Sequence, residues 1–175
     1  TLDSDPTVTV GGNAGTKQSQ SGLSYSYSYT VSGVDIAGSN AVDVNGQDLA
    51  GNTGWTNGTV FFDFTAPTVT VNQASGQSDP TTTLPIVFDV LFSETVTGFD
   101  GPSDVVMGGT ATGVTFNVTG TGTTYAIEVT AVTGDGTLVP TIMSAVAQDN
   151  AGNDNTASTS TDNTVVYDST DPTVS

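Results

Sequence analysis

Asp63-Phe64-Thr65-Ala66-Pro67-Thr68-Val69-Thr70-Val71 decides how the rest of this chain is read. Its second half alternates β-branched residues, which pack well on a pleated surface and lose rotamer freedom in a helix. Pro67 fixes φ and removes a backbone donor, which suits the first residue of an edge strand. The run recurs as Asp168-Ser169-Thr170-Asp171-Pro172-Thr173-Val174 and, one residue shorter, as Asp3-Ser4-Asp5-Pro6-Thr7-Val8. Repetition is organisational and is interpreted before any single residue. Three copies of one junction bound two modules.

Upstream of the two later junctions lies a second shared element, Gln47-Asp48-Leu49-Ala50-Gly51-Asn52 and Gln148-Asp149-Asn150-Ala151-Gly152-Asn153. Each is followed by a polar stretch and an apolar strand, Val60-Phe61-Phe62 or Val165-Val166-Tyr167. The expected organisation is a tail of a preceding repeat over 1–5, a short module over 6–65, a full module over 66–170 and the first strand of a following repeat over 171–175. Junctions this short leave little room for independent tumbling, so the expected array is a semi-rigid rod.

Composition agrees with an all-β fold. Thr (33) and Val (23) make nearly a third of the 175 residues, and no window carries apolar residues at helical spacing over three turns. Two-residue alternation recurs in Thr7-Val8-Thr9-Val10, from Ser24 to Val31 and in Thr115-Phe116-Asn117-Val118. Gly, Asn, Asp, Ser and Pro interrupt such runs about every eight to twelve residues, the strand spacing of a sandwich. The 40 Leu, Ile, Val and Phe residues can form a real but thin core.

The charge excludes more. One Lys, no Arg, no His and 18 acids give a formal net charge of −17, so nucleic acid, which needs cations to displace phosphate counterions, is not a partner. Catalysis through His, a thiolate or an Arg clamp lacks its side chains, and a serine nucleophile would have no His base. Paired carboxylates such as Glu94 with Glu128 or Asp89 would need a cleft that a small sandwich with short loops does not offer. The expected protein is not an enzyme. No apolar stretch approaches the roughly 20 residues of a membrane span, and Thr1 begins in mid-pattern, as expected of a piece of a longer chain. The lack of Cys fits export of an unfolded chain without disulfides.

The Asp-x-Thr-Ala-Pro-Thr-Val-Thr-Val run, Phe92-Ser93-Glu94-Thr95-Val96-Thr97-Gly98-Phe99, a Gly122-Thr123-Thr124-Tyr125 hairpin and Asp149-Asn150-Ala151-Gly152-Asn153 together resemble the bacterial immunoglobulin-like repeats of giant secreted adhesins and surface proteins. The likeness covers most of the second module; the first keeps the Asp48-Leu49-Ala50-Gly51-Asn52 element and both junctions but has no Phe-Ser-Glu counterpart. It implies tandem β-sandwiches of about seven strands, extracellular, frequently calcium-binding and structural. Its partners would be neighbouring repeats of the same chain, with a host receptor or glycan unspecified.

The acids point to calcium on their own account. Carboxylates in the repeated turns and junctions lie among Asn, Gly and Thr that can offer carbonyl oxygens, and a hard cation with six to eight oxygen ligands wants that mixture. Without His or Cys, softer metals have little to bind, and no EF-hand spacing occurs. Glu94, Asp149 and Asp168 are expected to converge at one pole of the second module. Asp48, Asp63 and Asp35 are the corresponding set of the first. Set against this is the plainer reading that the acids keep the protein soluble and the Asp and Asn residues form turns, which is preferred for Asp100, Asp104 and Asp135.

Three further features have two readings each. Lys17 is either solvated or part of an isopeptide bond to Asn or Asp. Tyr25, Tyr27 and Tyr29 project from one face, to cover a core or to bind a glycan or strand. Trp55, in the turn-rich run Asn52 to Gly58, is preferred as a lid over the core, with a sugar or protein contact as the alternative. Two functions therefore stand against the spacer of a long adhesin: a subunit of a homopolymeric filament or surface layer assembled by strand exchange, which the short first module invites, and a carbohydrate-binding module.

Overall fold

The computed structural model describes residues 2–174 and is nearly all β. Among these residues no α-helix forms, a 3-10 turn at Pro102–Asp104 is the one helical piece, and no helix is long and apolar enough to cross a membrane. The chain divides into two compact units, Thr1–Phe64 and Thr65–Ser175.

In the first unit, β1 (Thr7–Val10), β2 (Asn13–Ala14), β5 (Gly38–Gln47) and β6 (Thr53–Phe62) form one antiparallel sheet in the order β2-β1-β5-β6, and β3 (Thr16–Ser21) pairs with β4 (Ser24–Ser28) as a separate hairpin. Register runs through all ten residues of β5 and β6, from Gly38 opposite Phe62 to Gln47 opposite Thr53. The sheet's two faces differ. Val8, Val10, Val42 and Val44 lie on one, while Thr7, Thr9, Asp43 and Asn45 lie on the other. The tyrosines of the hairpin are half-buried between exposed serines. Tyr27 donates to the Pro6 carbonyl, Tyr29 donates to Asp35 and stacks on Phe62 at 6.3 Å. Leu2 bridges to Asp48 and Asp3 N–H donates to the Gln47 carbonyl, which lays 2–3 beside the end of β5.

In the second unit, β7 (Val69–Gln73), β8 (Ile86–Val96) and β10 (Thr115–Ala131) form one three-stranded antiparallel sheet in the order β10-β8-β7. A second sheet contains β9 (Val105–Gly109), β11 (Gly136–Ile142) and β12 (Val165–Tyr167), in the order β12-β11-β9. Both sheets contribute to one core. Strict alternation puts Ile86, Phe88, Val90 and Phe92 of β8 inside with Tyr125, Ile127 and Val129 of β10 and Leu138 and Ile142 of β11. Phe92, Phe99 and Tyr125 meet edge to face at centroid distances of 5.1 to 5.8 Å, the arrangement that aromatic quadrupoles prefer. The outer edge of β7 is not left open. Segment 156–162 runs parallel to it through Thr156 N–H to Pro67, Thr159 N–H to Val69, Val71 N–H to Thr159 and Gln73 N–H to Asp162.

The span 115–131 of β10 folds back on itself as the expected hairpin: Thr130 Oγ1 donates to the Thr115 carbonyl, Gly120 lies against Thr124 and Tyr125, and Gly122 takes φ of 72° in the reversal. One local expectation is corrected. Trp55 sits in β6 opposite Asn45 and is 74% exposed, so it is no lid. Residues 171–174 form no strand with the described residues, and Val174 is 99% exposed; Ser175, the last residue of the span expected to open a following repeat, lies outside the described residues.

Candidate metal centre

The repeated Asp-x-Ala-Gly-Asn element folds into the same loop in both units. In the first, Asp48 Oδ1 accepts from Ala50 N–H and Asn52 N–H at 2.9 Å each, and Oδ2 accepts from the Asn52 amide at 2.9 Å. In the second, Asp149 Oδ1 accepts from Ala151 N–H at 2.8 Å and Asn153 N–H at 2.9 Å, and Oδ2 accepts from the Asn153 amide at 2.8 Å. Gly51 and Gly152 close the turns at φ of 84° and 91°, a region that a Cβ disfavours. In both loops the Asn amide, followed by the backbone N–H donors, holds the carboxyl below the usual carboxylate range despite an opposing desolvation. To this extent the acids are turn formers, and the motif encodes a loop first.

The two loops differ in what surrounds them. Asp48 is half-exposed, whereas Asp149 is 6% exposed. Thr97 and Gln148 exchange main-chain hydrogen bonds, which lays the loop against the end of β8. Two residues before the end of that strand is Glu94, in register with the inward-facing Phe92 and Val96. On its other side β8 holds the segment that leads into this unit, through Ser93 N–H to the Thr68 carbonyl and Thr68 N–H to Ser93 Oγ. The segment begins at Asp63. Each of Asp63, Glu94 and Asp149 offers a carboxylate oxygen, and these oxygens lie within 4.8 Å of one another.

The expected partner of Glu94 and Asp149 was Asp168; the acid that meets them is Asp63, its counterpart in the preceding junction. Asp168 caps its own turn by accepting from Thr170 N–H at 3.0 Å, and its N–H donates to Thr81. Asp48 stays within its loop contacts. Asp35 accepts from Tyr29, from Ser32 N–H at 2.6 Å and from Asn13 at 3.2 Å, with its carboxyl held low by the Tyr29 hydroxyl above all. Two residues carry more than their sequence context suggested. Asp135 accepts from Ser169 N–H, Ser169 Oγ and Thr170 Oγ1, pinning the last junction. Asn155, 2% exposed, accepts from Val146 and Ala147 N–H and donates to the Met143 and Thr156 carbonyls.

The three gathered acids fit a hard cation on chemical grounds. Like charges this close repel, and Asp149 does not escape by taking a proton, because its donors favour the ionised form. The one Lys of the chain, Lys17, is occupied at Asp5 at 2.6 Å and Gln20 at 2.8 Å. An all-oxygen, carboxylate-rich donor set suits calcium rather than a softer metal. The chain matches no known family profile, no curated protein sequence and no solved structure.

Proposed function

We propose that this chain is a structural segment of tandem immunoglobulin-like modules from a long extracellular bacterial surface or adhesin-type protein, with calcium held by Asp63, Glu94 and Asp149. The module reading is supported by one observation above others: the repeated motif closes the same loop twice with corresponding donor and acceptor atoms. The chemistry that calcium supplies when bound is neutralisation of the three acids. The chain's own residues do the rest. Asn153 and the 151–153 backbone aim Asp149, β8 presents Glu94, and Asp63 supplies the third carboxylate. The role is mechanical and not enzymatic, since Asp149 is held by the Asn153 amide and no His is available as a base.

Melting in millimolar calcium against chelator tests this. A ligand that binds only the folded state adds about 2.7 kcal/mol at a hundred times its dissociation constant. The expected result is a higher melting temperature in calcium, a response lost in Glu94→Gln and kept in Asp48→Ala and Asp168→Ala. Superimposable curves in calcium and chelator defeat the proposal.

A second reading, a subunit that polymerises, is favoured by β6: it ends the sheet of the first unit, and its residues 53–59 are exposed. Sizing with calcium separates the two readings, a monomer supporting the spacer and growth into fibres the filament.

A further inference from the structure

We infer that the polar face of the first unit's sheet binds a neutral saccharide, with Trp55 as the stacking platform. The strand register places Thr7, Asn45 and Trp55 in one transverse row across β1, β5 and β6, and Thr9, Asp43 and Asn57 in the next. Beside the ring lies an open cavity of about 490 Å³, bounded by Asp5, Thr7, Asn45, Gln47 and Thr53. The Trp55 ring is 74% exposed on this face.

The surroundings choose the ligand class. A protein-binding aromatic anchor is ringed by apolar contacts that exclude water, whereas on the side of this cavity Trp55 is bordered by amides, hydroxyls and a carboxylate, with Leu2, Pro6 and Val44 on its other side. A pyranose has the matching chemistry: a face of C–H groups to lie on the ring and a rim of hydroxyls that donate to Asp5 and to side-chain oxygens and accept from Asn45, Gln47 and the threonines. Charge narrows the class further. Asp5 and Asp43 border the face, the chain carries −17, and its one Lys is paired with Asp5, so uronic acids and sulfated sugars are repelled. The site is independent of the calcium proposal, because none of its residues lies beyond Asn57 and none is among the three gathered acids.

Because Trp55 is the only Trp in the chain, its emission reports on the site directly. The probes are the hexasaccharides of cellulose, mannan, xylan and amylose, with hexagalacturonate as the anionic comparison. The expected result is a saturable emission change with at least one neutral probe by about 10 mM, where a dissociation constant of ~1 mM gives nine-tenths occupancy. In affinity electrophoresis through the polysaccharide of that probe, retardation should vanish in Trp55→Ala, fall several-fold in Asn45→Ala and persist in Phe61→Ala, whose ring is also exposed on β6. Trp55→Ala should melt like the parent, since the ring covers no core. The inference is overturned by unchanged emission with every neutral probe, by binding of hexagalacturonate alone, or by equal retardation of the parent and Trp55→Ala.

Discussion

The two units share a loop, a junction and a β-rich composition, but they differ sharply in what they bury. Among the described residues the second unit buries sixteen apolar side chains, and the first buries Val10 and Phe62. The contrast lies in the inward positions. Along β8 they are Ile86, Phe88, Val90 and Phe92; along β6, on the face of Phe62, they include Gly54, Thr56 and Gly58. Ten uninterrupted backbone pairings therefore join β5 to β6 with little apolar surface between them and the hairpin. Hydrogen bonds that replace bonds to water contribute modestly, and burial contributes most of the stability. A repeated motif thus fixes loops in both units and says little about the core of either.

That comparison is most directly broken by truncation in each core. Phe88→Ala should cost about 3–5 kcal/mol in the second unit, as buried aromatic deletions do. Phe62→Ala should cost clearly less, because its surroundings are open to water and can relax. Chemical denaturation read by near-ultraviolet circular dichroism measures both, and equal losses would remove the distinction drawn here.

A smaller effect is expected at Asn155. Asn155→Ala strands the Val146 and Ala147 N–H groups inside the second unit, at about 1–3 kcal/mol for each buried group left unsatisfied. The same change at Asn52, in the exposed loop of the first unit, should be mild, since water replaces the lost amide. A larger loss at Asn52 than at Asn155 would mean that the loops, not their settings, carry the difference.

The smallest expected effect concerns acid. Asp149 and Asp48 have folded-state values below the ordinary carboxylate, so each adds stability that is complete well above the unfolded value of about 3.9 and is lost as pH falls through that value and then the lower folded one. Melting between neutral pH and pH 3 should therefore flatten in Asp149→Asn and in Asp48→Asn. An unchanged acid slope in both would show that these loops hold no preference for the charged form. In Asp149→Asn the calcium response should disappear as well, and in Asp48→Asn it should remain.

Sequence periodicity made β1, β4 and the start of β10 legible, because alternation is a local property of the chain. The two Asp-x-Ala-Gly-Asn loops were legible for a similar reason: side chain and backbone close the turn within five residues. Trp55 was misread because Gly, Asn and Thr around it carry turn chemistry, and only pairing with β5 over its whole length makes them a strand. The company of Asp63 was beyond local reading altogether. Which acid meets Glu94 depends on how Thr68 is tied to Ser93, a contact 25 residues long in sequence. Asn155 sits in no periodic run, so nothing marked it as buried.

The parallel lacing of β7 by segment 156–162 has a mechanical consequence. Chain enters the second unit at the start of β7, and the segment beside it continues into β12, which pairs with β11, before the chain leaves. Once β12 has been drawn off β11, tension between the start of β7 and the far end of the segment slides the neighbours along each other instead of peeling them apart, so the four main-chain hydrogen bonds from Thr156, Thr159, Val71 and Gln73 are loaded together in shear. A hairpin pulled open at its mouth gives way one bond at a time. This pair must lose all four at once, which makes resistance to stretching a property of the topology before any ion is bound.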